Sequence, residues 1–349
     1  MAGGRAHAAF ARAHRVALEA AAANGERDGL ARHFLFGRLG ERLGEGGPAE
    51  RALWAVEGGL AAGLWRLFAS LPLERASDLG AALGRRLGPR LKKHRHVLAN
   101  LAIALADRPA EERALIARES WANAFRMLAE LPHLADLVAG RSGRIEVVDP
   151  LHVLAAARGR PAIFVTAHLG NWNLAPVAAV RAGIPLTVIY RAQTSPRIEA
   201  LVARAREALP WRHLEVEEAA RGMLRELEAG RSVGLLPDQR FEGGELVPFF
   251  GRPARTPVAP ARIAVRKGLP FVAVRVVRIE GCRFEIRIEP PLEPDPAIRD
   301  PRERAFALTA ALNRLFEGWI REHPEQWLCA KRRWPKTDAG ARASEHSPP

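Results

Sequence analysis

The sequence predicts a mixed α/β protein, a sheet with helices packed on its faces. Three observations carry this. Strand-like apolar runs recur at 162–167, 186–190, 232–237, 271–277 and 284–288, and helical patterns separate the first several of them. The first of these runs ends in His168, then a glycine at Gly170, then a stretch of helical character from 173 to 180. A buried strand that delivers a histidine to the start of a helix is how an open α/β sheet presents a reactive group, because sites form at the carboxyl ends of strands. His168 is therefore the candidate general base, and the alternative is a satisfied structural histidine.

Composition bounds the class. A chain of 349 residues with 48% hydrophobic and 26% charged content is globular rather than disordered, and is long enough for one large domain or two. The net charge of +14 calls for an anionic partner: nucleic acid, an anionic membrane face or an acidic protein. Cys282 and Cys329 make neither a disulfide framework nor a metal-ligand spacing, so zinc is not indicated and a reducing compartment is the default.

Taken in order, residues 1–50 are an Ala/Arg/Gly-rich extension without the apolar core and cleavage site of a secretory signal, and GEGGP at 44–48 reads as a linker. The stretch 53–73, LWAVEGGLAAGLWRLFASLPL, is the most apolar of its length. Glu57 and Arg66 would be costly at a bilayer centre, and Trp54 and Trp65 suit an interface. It is expected to be a shallow membrane anchor or a buried core helix. The basic run 85–96, RRLGPRLKKHRH, follows directly, and such residues beside an apolar helix are drawn to anionic headgroups; otherwise they are a solvated face. Over 109–138 a helical pattern places Leu115, Ile116, Trp121, Phe125, Leu128 and Leu131 in the core.

Three later clusters carry candidate chemistry. In YRAQTSPRIEALVARAREAL, 190–209, Pro196 opens a helix with Arg197, Arg204 and Arg206, whose guanidinium forks suit phosphate or carboxylate; the alternative is a basic solvent face. In 232–264, Asp238 follows a strand as His168 does, and two strand ends in one sheet can face each other. The apolar group Val247, Pro248, Phe249 and Phe250 is either a slot for an acyl chain or simple core, and Thr256 with Pro257 reads as a helix start. After a helix over 302–321, EHPEQWLCAKRRWPK sets Trp327 and Trp334 around Lys331, Arg332 and Arg333, which suggests an interfacial or phosphate-facing surface. The tail 337–349 has the look of disorder.

The ordered set of strand-HLGNWN, YRAQTSP with its arginine helix, LPDQ, VPFFG, TPVAPARIA, PPLEP and HPEQW with KRRW resembles the late acyltransferases of lipid A biosynthesis, the lauroyl and myristoyl transferase family, over about 53–336. The resemblance implies the glycerolipid-acyltransferase fold, a mixed sheet flanked by helices. It would have a membrane-associated helix and basic helical region over 51–140 and an α/β core over 141–336. It implies a fatty acyl chain moved from an acyl carrier protein thioester to a hydroxyl of a lipid A precursor or related anionic glycolipid. The setting would be the cytoplasmic face of the inner membrane, without metal or organic cofactor.

By the same resemblance His168 matches the family's histidine, Asp238 its functional aspartate and Arg206 its functional arginine. Gly170 and Asn171 lie inside the motif, Arg191 and Arg204 are expected on the substrate side, and Arg240, a departure where the family commonly shows an acidic residue, adds positive charge that suits a phosphate. The position five residues after the histidine, acidic in the family, is Asn173. An asparagine orients an imidazole without neutralising it; this does not exclude activity, and Asp238 is the candidate to supply that charge where it lies close. Backbone N–H groups of Gly170 and Asn171 are candidates for an oxyanion site. Two other readings stay open: a non-catalytic lipid-binding relative, motivated by Asn173, and an acyltransferase for a lysophospholipid or another glycolipid. No recognised motif supports nucleic acid.

Overall fold

A computed structural model of the chain describes residues 47–335, apart from 141–142, 194 and 217–218. The expected extension up to residue 46 and the expected tail lie outside the described residues.

Seven strands make the main sheet: β1 (Ile145–Val148), β2 (Ile163–Val165), β3 (Leu186–Tyr190), β4 (Arg212–Glu215), β5 (Ser232–Leu235), β8 (Phe271–Glu280) and β9 (Arg283–Ile288). Their spatial order is β1-β9-β8-β2-β5-β3-β4. Every neighbouring pair is parallel except the β8–β9 hairpin. A separate antiparallel hairpin joins β6 (Glu245–Phe249) to β7 (Arg252–Thr256).

Parallel strands need crossover helices, and these cover both faces. On β2, Ile163 and Val165 join one core cluster while Ala162 and Phe164 join the other, as the two-residue period of a strand requires. The first face is covered by helices α3 (His94–Ala104), α4 (Ala110–Glu130), α9 (Ala219–Glu228), α10 (Ala259–Lys267) and α11 (Pro301–Glu322). The second is covered by α5 (Leu134–Ala139), α6 (Val153–Ala156) and α7 (Pro176–Arg181).

Two more helices precede these. Helix α1 (Pro48–Ser70) and helix α2 (Leu73–Leu87) open the described chain. Close approach of α2 to α4 depends on glycine: a Cβ at Gly80 would stand 2.6 Å from the Phe125 carbonyl oxygen. Helix α1 buries Leu53, Glu57 and Phe68 but leaves Val56, Leu60, Leu64 and Leu67 between 43% and 53% exposed, a stripe at helical spacing facing away from the core. No helix among the described residues is long and apolar enough to cross a membrane. Helix α8 (Pro196–Glu207) follows β3, and its Arg197 packs over Gly58 of α1.

Several expectations are corrected. Leu115 and Leu128, expected in the core, are 62% and 40% exposed, because α4 turns its other side, with Ile116 and Trp121, to the sheet. Thr256 ends β7 rather than starting a helix; its hydroxyl accepts from the Arg333 guanidinium at 2.6 Å, and α10 begins at Ala259. Val247 and Phe249 are wholly buried, with Phe249 stacked on Trp334, and are core, while Pro248 is exposed and Phe250 half-buried. The expected interfacial surface at Trp327, Arg333 and Trp334 is likewise interior: all three are buried. The Trp334 indole donates to the Phe249 carbonyl, and the Arg333 guanidinium to the Arg255 carbonyl. A buried cation bonded to one carbonyl and one hydroxyl of β7 fastens the C-terminal segment to the β6–β7 hairpin.

Candidate active site

Strands β2 and β5 are parallel neighbours in which Val165 pairs with Leu235. His168 and Asp238 each lie three residues beyond that pair, so the sheet carries them to the same edge side by side. The His168 ring Nδ1 stands 2.6 Å from Asp238 Oδ1. The backbone N–H of His168 donates to Oδ2 of the same carboxylate at 3.0 Å, and the Trp327 indole N–H to that oxygen at 3.1 Å.

Asp238 is wholly buried. Burial alone raises a carboxyl group, but the facing imidazole and the hydrogen bonds from the His168 ring, the His168 N–H and Trp327 outweigh it and hold the carboxyl below its usual value. An ionised Asp238 accepts the Nδ1 proton, which leaves Nε2 as the basic nitrogen of the ring. The His168 side chain keeps 22% of its surface open.

The turn after His168 is tied at every handle. The His168 carbonyl accepts from the Leu328 N–H, and the Gly170 N–H donates to the Gln326 carbonyl. Gly170 has φ +58°, and a Cβ there would lie 2.5 Å from the Val276 carbonyl oxygen. The expectation of a Gly170 N–H facing an oxyanion is therefore corrected, since that donor is already committed. Asn171 is buried and donates to Glu130 at 2.8 Å. Asn173 donates to the Asn171 side chain at 3.2 Å, so its amide is engaged there and the carboxylate partner of His168 comes from β5 instead.

Next to the site lies a small apolar cavity of about 40 Å³, lined by Phe164, Trp172, Val188, Leu235 and Val274 among others. The Trp172 ring sits 4.9 Å from the His168 ring, so the cavity wall reaches the reactive edge.

The arginines divide. Arg206 pairs with Glu199 at 2.6 Å and stacks 3.9 Å above the Tyr190 ring, while Arg204 is exposed on the same helix. Arg240, two residues beyond Asp238, forms an ion pair with Glu242. Arg191 is exposed just past the end of β3. Burial, then the nearby charges of Arg191 and Lys93, lower the Lys331 ammonium from its ordinary value, so three cations gather near the end of β3. Both cysteines are buried, and burial pushes Cys282 up to about 11 and Cys329 up to about 12, so neither is a ready thiolate. Among the described residues no cluster of His, Cys, Asp or Glu is suited to a metal.

Glu130, Asn123, Arg278 and Gln326 join the site without a motif to announce them, and Trp327, expected at a surface, joins it from the interior. The available signal was Glu130 itself, an acid on the apolar stretch of a helix.

This geometry sits in a chain with informative relatives. It is 28% identical over 283 residues to a phosphatidylinositol mannoside acyltransferase of Mycolicibacterium smegmatis, a match covering 79% of this chain and 90% of that protein. It is also 28% identical over 300 residues to phosphatidylinositol mannoside acyltransferase of Mycobacterium tuberculosis, covering 80% and 88%. The family model described as bacterial lipid A biosynthesis acyltransferase matches residues 51–336, which hold every strand and helix given above except the first turn of α1. The chain is an acyltransferase and belongs to the bacterial lipid A biosynthesis acyltransferase family.

Proposed function

We propose that the protein moves a fatty acyl chain from an acyl carrier protein thioester to a hydroxyl of an anionic glycolipid, with His168 as general base. The observation that carries this reading is the 2.6 Å contact between His168 Nδ1 and a buried, ionised Asp238. It leaves Nε2 to take the acceptor's hydroxyl proton as that oxygen attacks the thioester carbonyl. The tetrahedral intermediate then collapses, the carbon–sulfur bond breaks, and the imidazolium returns the proton to the leaving thiolate. Asp238 stabilises the imidazolium between the two steps, so Asn173 need not be acidic.

The apolar lining beside Trp172 suits the carbonyl end of the acyl chain, being adjacent to the base. The cationic group of Arg191, Lys93 and Lys331 suits a phosphate on the acceptor and draws in an acidic carrier protein. Relatives named for phosphatidylinositol mannoside favour a phosphoinositol glycolipid as the acceptor. A lipid A precursor is the second reading, favoured by the family description. Helix α1 lies against the cytoplasmic face of the inner membrane, with Val56, Leu60, Leu64 and Leu67 in the interface.

The test is a transfer reaction with acyl carrier protein and coenzyme A thioesters against each acceptor class, followed by lipid mass spectrometry, with His168→Ala alongside. Transfer by the wild type and none by the variant is expected. Equal transfer by the variant would remove His168 from the chemistry, and absence of any product would favour the lipid-binding alternative.

A further inference from the structure

Glu130 of α4 and Arg278 of β8 form a buried ion pair on the side of the site away from Asp238. The Glu130 side chain is wholly buried, and Arg278 Nη1 and Nη2 donate to its two oxygens at 2.7 and 3.0 Å. Buried ion pairs are weak stabilisers, since apolar replacements are often neutral or better, so what this one touches bears on why it is there.

It touches the turn that carries His168. Glu130 Oε2 accepts from the Asn171 amide, and the Arg278 Nε–H donates to Asn123 Oδ1 at 3.2 Å. The Asn123 amide in turn donates to the Gly170 carbonyl at 2.9 Å and to the Gln326 carbonyl at 3.2 Å. Gln326 closes the loop: its side-chain oxygen accepts from the Arg278 N–H at 2.8 Å, and its amide donates to the Arg278 carbonyl at 2.9 Å. Residues 170 and 171 are thus held from two directions by one charged hub, while Asp238 and Leu328 hold His168 from the other side.

We propose that Glu130 and Arg278, acting through Asn171 and Asn123, are positioning residues that set the His168 turn and so the direction of its Nε2 toward the acceptor. The inference rests on His168 serving as the base. A base displaced by a fraction of an ångström loses rate without losing substrate affinity, because the reacting geometry, not the binding surface, has changed.

Ser77 provides a matched control, since its hydroxyl donates to the other Glu130 oxygen at 2.7 Å but touches nothing in the turn. Asn171→Ala and Ser77→Ala each remove one hydrogen bond to the same carboxylate and one accepted from a neighbouring side chain, from Asn173 at 3.2 Å and from Arg126 at 2.9 Å, and leave the ion pair in place. Both are expected to lower Tm by similar amounts. Asn171→Ala alone is expected to lower kcat, by roughly tenfold to a hundredfold, with KM little changed. A proton NMR readout of the imidazole Nδ1–H is independent of acyl transfer: its resonance should shift or broaden in Asn171→Ala and stay in place in Ser77→Ala. Wild-type kcat in Asn171→Ala, an equal loss in Ser77→Ala, or an unmoved Nδ1–H in both variants would overturn the proposal. Should the wild type transfer no acyl chain to any acceptor, the functional reading fails, and the NMR comparison still decides the clamp.

Discussion

Replacing Asp238 by asparagine changes one atom in the middle of the site and should stop the reaction while sparing the fold. The carboxylate accepts three N–H donors: the His168 backbone and Trp327 on Oδ2, and the His168 ring on Oδ1. Asparagine has a single acceptor oxygen. Placed at Oδ2 it keeps two donors satisfied and turns its NH2 toward Nδ1, which must then accept, moving the ring proton to Nε2. The base is lost through the wrong tautomer rather than through missing structure. The equivalent change in the serine protease triad lowers turnover about 10⁴-fold, and a loss of that order in kcat is expected here.

The stability cost should be about 1–3 kcal/mol, the worth of a hydrogen bond to a charged group. Its pH dependence follows from direction. The native carboxyl is held below its unfolded value near 3.9, so the wild type gains stability above about pH 4 and loses it as pH falls through the native pKa. The difference in Tm between wild type and Asp238→Asn should therefore be largest above pH 5 and narrow below pH 4. Steady-state transfer kinetics with thermal melts at several pH values read both effects. A variant retaining more than about a tenth of wild-type kcat would refute the tautomer argument, since the triad precedent demands a far larger fall.

Asn173→Ala should change kcat by less than about threefold, because its amide bonds Asn171 rather than the imidazole; a loss near that of Asp238→Asn would restore it to the chemistry. Gly170→Ala must hold φ +58° and push a methyl against the Val276 carbonyl, at about 1–3 kcal/mol for the backbone alone, so a fall in Tm is expected and an unchanged melt would contradict the geometry. Leu60→Glu with Leu64→Glu removes two members of the exposed stripe on α1 and should abolish sedimentation with anionic vesicles while leaving Tm within a few degrees; undiminished binding would place the membrane contact elsewhere.

The legible part of the site was the part written locally. An apolar run ending in histidine marks a strand tip, a second run ending in aspartate marks another, and Pro196 marks a helix start; all three lie where the local pattern puts them. Aromatic and basic residues of the C-terminal segment misled because hydropathy reports side-chain chemistry and not depth. Trp327, Arg333 and Trp334 look like an interface in a string, yet each finds a carbonyl, hydroxyl or carboxylate partner inside and is buried with it.

The order of residues by itself determined the class of fold and the family and nominated His168, since strand period, turn glycines and motif spacing are properties of neighbours along the chain. Tertiary structure alone decided that Asp238 meets the His168 ring, that an apolar cavity borders Trp172, and that Glu130 and Arg278 bond the turn. The polar contacts join residues 41 to 155 positions apart, and their geometry depends on sheet register and helix packing, which no local pattern encodes.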